Sequence, residues 1–223
     1  EVGGTTSITE NADDADITLT DPGNSLGGAI TIVSDDTNAN DVEDIALINS
    51  IATILGGTTE SGSLAVTTLN GGITQTGALD VDGASSFTTQ ADDADITLND
   101  VGNTLGGAVT FVSDDTDADD AEDIVLSNAV DTILGGTTES GILDVVAVNG
   151  NITQTGALEV GGSSGFTTQA DDATITLTDP ANVLSGGVTF TSTDTNANDA
   201  EAVSLTNAAA TILAGSTETG DFT

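Results

Sequence analysis

Residues 53–62 read TILGGTTESG, and residues 132–141 read TILGGTTESG again. The same offset of 79 residues separates ITQTGAL at 73–79 from its copy at 152–158. No insertion or deletion disturbs the register between these copies. Fidelity of this kind indicates one structural unit copied in tandem, so the repeat predicts the architecture before any single motif does.

Short apolar runs rich in β-branched residues open four turns within one unit. They are ITL at 17–19, IAL at 45–47, LAV at 64–66 and LDV at 79–81, and Gly, Asn, Asp and Thr corners separate them. No stretch has the 3.6-residue spacing of a helix. The sequence therefore predicts an all-β fold, a parallel β-helix (solenoid) whose 79-residue repeat forms about four coils. At about 4.8 Å per coil, one unit is expected to advance roughly 19 Å.

A string of tandem β-sandwich domains is the alternative fold, because about eight short strands per unit also fit a small sandwich. A sandwich of this size usually buries large aromatic side chains. Only five phenylalanines are present, and they give each unit about two. Stacked aliphatic side chains fill the narrow core of a solenoid, so the composition favours the β-helix and predicts that the phenylalanines are local core fillers.

The whole chain, residues 1–223, is expected to be a single repetitive solenoid segment. The units are residues 1–16 (partial), 17–95, 96–174 and 175–223 (partial). Glu1 aligns with Asp80, in the middle of a unit, and no atypical capping segment is visible. Because solenoids need caps to cover their end faces, the sequence is interpreted as a fragment of a longer array.

The composition excludes several classes of function. The chain has 37 Asp and Glu residues, no Lys, Arg, His, Cys or Trp, and a formal net charge of -37. Without cationic side chains it is expected to bind neither nucleic acid nor anionic lipid surfaces. Disulfides, thiol nucleophiles and zinc sites of the usual kind are excluded as well. A membrane span needs about 18 consecutive apolar residues, and no such run is present, so no membrane insertion is expected.

Three acidic loops, one per unit, are candidate calcium sites. In DDTDADDAED at 114–123, alternate carboxylates are close enough in sequence to converge on one hard cation, and Ca²⁺ takes six to eight oxygen ligands. The loops are not EF-hands, because Asp41, Asp120 and Asp199 replace the glycine expected at the sixth position. The candidate ligands are Asp36, Asn38, Asn40, Asp41, Glu43, Asp44, Asp115, Asp117, Asp119, Asp120, Glu122, Asp123, Asp194, Asn196, Asn198, Asp199 and Glu201.

The same loops have a second interpretation as solvated corners whose charge keeps rods soluble and apart. In either case every carboxylate must be balanced by ions from solution, since the chain supplies no cationic side chain. Self-repulsion at this charge density opposes compaction. We therefore predict that stability depends strongly on salt or on divalent ions.

Paired aspartates raise the question of acid and base catalysis. The pairs are Asp13/Asp14, Asp92/Asp93 and Asp171/Asp172. A catalytic constellation is a single site, whereas these pairs recur at equivalent positions in each unit, as corner residues do. No Arg or Lys is present to stabilise a developing negative charge. The sequence therefore predicts that the chain is not an enzyme.

Three blocks carry a resemblance to a known family. GNITQTGALEVGGSSGFTTQ at 150–169, ITLTDPGNSLGGAITI at 17–32 and GGAVTF at 106–111 resemble the long β-strand repeats of filamentous haemagglutinin-type bacterial surface proteins. The resemblance implies a right-handed β-helix stalk, exported to the cell surface or medium by two-partner or autotransporter-type secretion, with adhesion as its role. The complete lack of Lys and Arg departs from typical members.

Together these observations predict a structural, adhesive segment of an extracellular bacterial fibre. Its expected partners are other copies of the chain and a receptor on a host or neighbouring cell. Repetition presents the same surface in every unit, so weak contacts add through multivalency. The alternative function is that of a calcium-dependent extender of a large adhesin, built from tandem β-sandwiches.

Overall fold

The computed structural model describes residues 1–12, 15–34, 43–60, 62–113, 122–139, 141–193, 201–217 and 220–223. These residues form 23 strands and no helix. The strands are β1 (Thr6–Glu10), β2 (Ile17–Leu19), β3 (Ala29–Ser34), β4 (Ile45–Asn49), β5 (Thr53–Glu60), β6 (Leu64–Thr68), β7 (Ile73–Gln75), β8 (Leu79–Val81), β9 (Ser85–Thr89), β10 (Ile96–Leu98), β11 (Thr104–Leu105), β12 (Ala108–Ser113), β13 (Ile124–Asn128), β14 (Thr132–Glu139), β15 (Leu143–Ala147), β16 (Ile152–Gln154), β17 (Leu158–Val160), β18 (Ser164–Thr168), β19 (Ile175–Leu177), β20 (Val183–Leu184), β21 (Gly187–Ser192), β22 (Val203–Leu205) and β23 (Ile212–Thr217).

The strands stack into two parallel sheets, and the chain passes from one sheet to the other as it winds. The first sheet runs in the order β1-β3-β5-β7-β10-β13-β15-β18-β21-β23, with β8 and β11 alongside. The second runs β2-β4-β6-β9-β12-β14-β16-β19-β22, with β17 and β20 alongside. Every pairing between described strands is parallel, which confirms the predicted β-solenoid and excludes the alternative of antiparallel β-sandwiches.

One 79-residue unit contains seven passes across the sheets, which is three and a half turns. The unit of residues 17–95 begins on the second sheet with β2, and the next unit begins on the first sheet with β10. The total is close to the predicted four coils, and each unit advances roughly 17 Å. The predicted turn start at Leu79 is wrong, because Leu79 lies on the first sheet, whereas the other three predicted starts lie on the second. Equivalent residues of successive units therefore lie on opposite faces of the solenoid.

The repeated TILGGTTESG motif forms a long strand that contains a β-bulge. In β5, the pairing with β3 shifts between Ile30 and Thr31, so that Gly56 is the extra residue. Gly57 follows with φ +126° and its equivalent Gly136 has φ +139°, a conformation that side chains disfavour. On its other side, β5 pairs with two separate short strands: residues 53–55, before the bulge, pair with β7, and residues 58–60, after it, pair with β8. The two glycines of the bulge therefore mark the point at which the partner of β5 changes from β7 to β8.

Alternation along the strands builds one continuous core between the sheets. β3 and β12 alternate strictly between half-buried and buried residues, as a period of two requires. The buried set is mostly Ile, Leu and Val, and each side chain is covered by the rungs above and below it. Complete burial of one such side chain contributes about 1.5–3 kcal/mol. Each coil thus depends on its neighbours for the closure of its core.

Phenylalanines stack in pairs inside this core. Phe87 lies opposite Phe111 on neighbouring rungs, with ring centroids 5.8 Å apart, and both side chains are fully buried. The equivalent pair one repeat later stacks at 5.7 Å. At the same level of the preceding repeat, Ile8 lies opposite Ile32. Four of the five phenylalanines are fully buried, which confirms for them the prediction that they fill the core, whereas Phe222 is 40% exposed.

Buried amides connect the corners of successive coils. Asn103 is fully buried, and its Nδ2 donates to the main-chain oxygens of Leu98 (3.2 Å) and Ser127 (3.0 Å). Its Oδ1 accepts from the backbone N–H of Leu79 at 2.9 Å and from Nε2 of Gln75 at 2.9 Å. A buried polar side chain must be hydrogen-bonded to avoid a desolvation cost, and the equivalent Asn182 makes the same contacts with Gln154 and Leu158 one repeat later.

Candidate functional surfaces

Acidic residues are concentrated between the strands. Only six of the 37 acidic residues lie in described strands, although these strands hold nearly half of the chain. The six are Glu10, Glu60, Asp80, Glu139, Asp144 and Glu159. Because the described connecting segments join strands of different sheets, the carboxyls that they carry lie at the edges of the described solenoid, and its two sheet faces carry little charge.

Most of the predicted calcium ligands lie outside the described residues. These are Asp36, Asn38, Asn40, Asp41, Asp115, Asp117, Asp119, Asp120, Asp194, Asn196, Asn198 and Asp199. In the part of the chain that the structure describes, no group of three or more Asp or Glu residues is arranged to hold a metal ion. The calcium sites therefore stay a prediction.

The described members of the candidate set include three buried glutamates. Glu43, Glu122 and Glu201 occupy equivalent positions at the exits of the acidic loops, each at most 1% exposed. Oε1 of Glu122 accepts a hydrogen bond from the backbone N–H of Asp93 at 3.2 Å. No Lys, Arg or His exists in the chain to pair with these carboxyls, so the backbone N–H of Asp93 replaces part of the solvation that the Glu122 carboxyl loses on burial.

The two described aspartates of the set link neighbouring coils. Oδ1 of Asp44 accepts from the backbone N–H of Ser63 at 2.8 Å, and Oδ1 of Asp123 accepts from that of Ile142 at 2.9 Å. One coil earlier, Oδ1 of Asp16 accepts from the N–H of Asp44 at 3.0 Å. This role of the two aspartates was not predicted from the sequence. Its signal is that an aspartate directly precedes the opening isoleucine of these strands.

The paired aspartates lie at corners, as their recurrence indicated. Asp93 has φ 57° and Asp172 has φ 59°, the left-handed conformation that Asp adopts more readily than most residues. Asp92 and Asp171 beside them are exposed. The first pair, residues 13–14, lies outside the described residues.

One sheet face carries no charge over five successive rungs. We call it the neutral face: the outward side chains of the second sheet from β2 to β12. They are Thr18, Ala46, Ile48, Ala65, Thr67, Ser86, Thr88, Ala108, Thr110 and Val112. Strand register places them in columns, so that Ala65 lies between Ala46 and Ser86. Hydroxyl and methyl groups therefore form the whole of this surface.

The first sheet differs at the equivalent position. Asp144 is one repeat after Ala65 and projects from β15 between Val125 and Gly165. Burial raises the pKa of the Asp144 carboxyl above its ordinary value. Its neighbour is a glycine, and a Cβ there would approach Oδ1 of Asp144 to 2.9 Å. Because each repeat makes three and a half turns, the equivalent residues Ala65 and Asp144 lie on opposite faces. The second sheet has an uncharged residue at this position, and the first sheet has a carboxylate.

A two-sheet parallel solenoid built from a tandem repeat of constant length defines a structural class, that of β-solenoid repeat proteins. The chain belongs to a family described as repeats of unknown function (DUF5649), which matches residues 1–33, 39–112 and 121–191. The matches end at equivalent positions, 79 residues apart, at the acidic segments. The repeat of the family therefore has the same 79-residue period as the units of this chain, but its boundaries lie at a different position within the unit. No curated protein and no solved structure matches the chain.

The described residues contain no helix of the length and apolar character needed to cross a membrane.

Proposed function

We propose that the chain is a structural rod, a stiff stalk segment of an extracellular bacterial fibre. The observation that supports it is the uninterrupted parallel pairing from β1 to β23, in which every coil closes the core of the next. In such a stack length grows with the number of repeats, while the cross-section stays constant. The resemblance to filamentous haemagglutinin-type repeats supports the extracellular location.

Adhesion to a neighbouring cell, a host cell or a matrix is the role we propose for this stalk. Equivalent residues lie on opposite faces in successive units, so a long array presents equivalent positions of the repeat on both of its sheet faces. Weak contacts repeated in this way add through multivalency. The absence of Lys and Arg removes every trypsin site, which suits a protein exposed to proteases.

We propose no catalytic activity for the chain. The paired aspartates are repeated corner residues, and two of them have the backbone conformation of a tight corner. A catalytic site needs groups that converge on one substrate, whereas the repeat distributes these carboxyls along the stack.

The rod is tested by adding one repeat. A second copy of residues 96–174, inserted after residue 174, keeps the register of the repeat because residue 175 is equivalent to residue 96. Small-angle X-ray scattering is expected to show a maximum dimension longer by roughly 17 Å and an unchanged cross-sectional radius. An unchanged length with a thicker particle would contradict the rod.

Adhesion is tested separately. Beads coated with the chain are expected to bind bacterial cells or matrix, and beads coated with polyaspartate are the control for charge alone. Equal binding by both kinds of bead would count against an adhesive role and leave the rod intact.

A further inference from the structure

The charge distribution restricts how two copies of this chain can meet. The net charge is -37 with no cationic side chain, so an approach through the edges brings like charges together. The neutral face is free of charged side chains over five rungs. We propose that the neutral face is a docking surface for a second copy of this chain, packed face to face with the acidic edges of both copies turned away. The proposal rests on the structural role proposed above and names the surface through which rods associate.

The geometry of the two surfaces is matched. Both copies have the same spacing between rungs, about 4.8 Å, so the side-chain columns of one face fit the grooves of the other. Ile48 and Val112 lie in one column with Thr67 and Thr88 between them, which supplies methyl groups across the whole column. Sheets of this kind pack about 10 Å apart. The contact is therefore expected to be dry and in register.

The area of the neutral face predicts a weak association. Five rungs and five-residue strands give a flat area of roughly 400 Å² per copy, about half of the 800 Å² that a stable interface uses. Such a contact forms at high chain concentration. Salt is expected to strengthen it, because screening reduces the repulsion between the edges.

The opposite face explains why the contact is limited to pairs. Asp144 lies at the position equivalent to Ala65 and is half-buried on the first sheet. Packing that face against another copy would bury a carboxylate without a countercharge, which is strongly unfavourable. Among the described sheet faces, the neutral face is therefore the one that we assign to docking, and contact between the neutral faces of two copies covers it in both.

Exchange of the two equivalent residues tests the proposal. Sedimentation equilibrium in high salt with chelator is measured for the natural chain, Ala65→Asp and Asp144→Ala. We expect dimers for the natural chain, at least about tenfold weaker dimerisation for Ala65→Asp, and retained dimerisation for Asp144→Ala. Aspartate is accepted at the equivalent position one repeat later, so Ala65→Asp is expected to fold, with circular dichroism as the check. The double variant Ala65→Asp, Ser86→Gly reproduces the Asp144 and Gly165 pair if the single variant unfolds.

Three results would overturn the proposal. The first is that the natural chain stays monomeric at the highest soluble concentration, and the second is that a folded Ala65→Asp variant dimerises as tightly as the natural chain. The third is that association requires Ca²⁺. The last result would indicate bridging between acidic edges instead. Scattering from dilute monomers measures the rod length independently, so failure of the docking face is distinguishable from failure of the rod.

Discussion

Single buried side chains contribute strongly to the free energy of unfolding, and Phe111 is the clearest example. It is fully buried and stacks on Phe87 in the neighbouring rung. Phe111→Ala removes this stack and leaves a cavity that the surrounding rungs cannot close, so we expect a loss of about 3–5 kcal/mol in urea unfolding. The double variant Phe87→Ile, Phe111→Ile is the matched control, because the preceding repeat holds isoleucine at both positions. A loss as large for the double variant as for Phe111→Ala would contradict this account.

Asp144 gives a prediction about pH. Burial raises the pKa of its carboxyl, so the folded chain binds this proton more tightly than the unfolded chain does. The charged form therefore lowers stability at neutral pH, and this penalty disappears as the pH falls below the ordinary value of 3.8. Asp144→Asn is expected to raise the melting temperature by roughly 1–2 °C at pH 7 and to leave it unchanged relative to the natural chain at pH 3. A gain of equal size at both pH values would rule out the charge as its cause.

At the scale of elements, the β-bulge depends on which glycine holds the left-handed conformation. Gly136 has φ +139°, so Gly136→Ala places a side chain in a disfavoured region and is expected to cost about 1 kcal/mol or more. Gly135→Ala is the control, because Ala214 occupies that position in the next repeat. Its cost is expected to be smaller, since Thr110 can turn aside. Chemical denaturation of both variants compares them, and the reverse order would show that space and not backbone conformation limits the bulge.

The elements themselves were largely predictable from sequence, because a period of two within a strand and a fixed repeat between strands are both local signals. The runs at Ile17, Ile45 and Leu64 each open a coil, as predicted, and all three lie on the second sheet. Leu79 does not, because the split of a rung into β7 and β8 depends on the bulge in the neighbouring coil. The pairing of β7 and β8 with β5 joins residues that are distant in sequence, so no local period of the sequence predicts it.

Candidate sites were harder to predict than the fold. The aspartates at positions 44 and 123 were grouped with the acidic loops by their charge, yet each accepts a backbone hydrogen bond from the next coil. The buried Asn103 was not singled out, because a lone asparagine in a turn-rich sequence resembles any corner residue. The neutral face also went unrecognised. Recognising it requires knowing that the extra half-turn in each repeat places Ala65 and Asp144 on opposite sheets.

For the whole molecule, repulsion between carboxylates is the contribution to stability that solution conditions change most. In the part of the chain that the structure describes, most carboxylates lie between the strands, at the edges of a stack whose rungs are about 4.8 Å apart. Raising NaCl from 10 mM to 1 M shortens the Debye length from about 30 Å to about 3 Å and so screens repulsion even between neighbouring coils. We expect the melting temperature to rise by about 5 °C or more over this range, as measured by circular dichroism. A flat salt response would mean that bound counterions already neutralise the edges.

Specific calcium binding predicts a further effect beyond screening. At constant ionic strength, Ca²⁺ at one hundred times its dissociation constant would stabilise the fold by about 2.7 kcal/mol per site, with one site expected in each acidic loop. The double variant Asp117→Asn, Asp119→Asn gives the second loop the asparagines that positions 38 and 40 have in the first. Because affinity for calcium follows the number of charged ligands, this variant is expected to bind the second ion more weakly in calorimetry, with Mg²⁺ as the competing cation. Identical melting in CaCl₂ and in NaCl of matched ionic strength would refute the calcium sites and leave the loops as solvated corners.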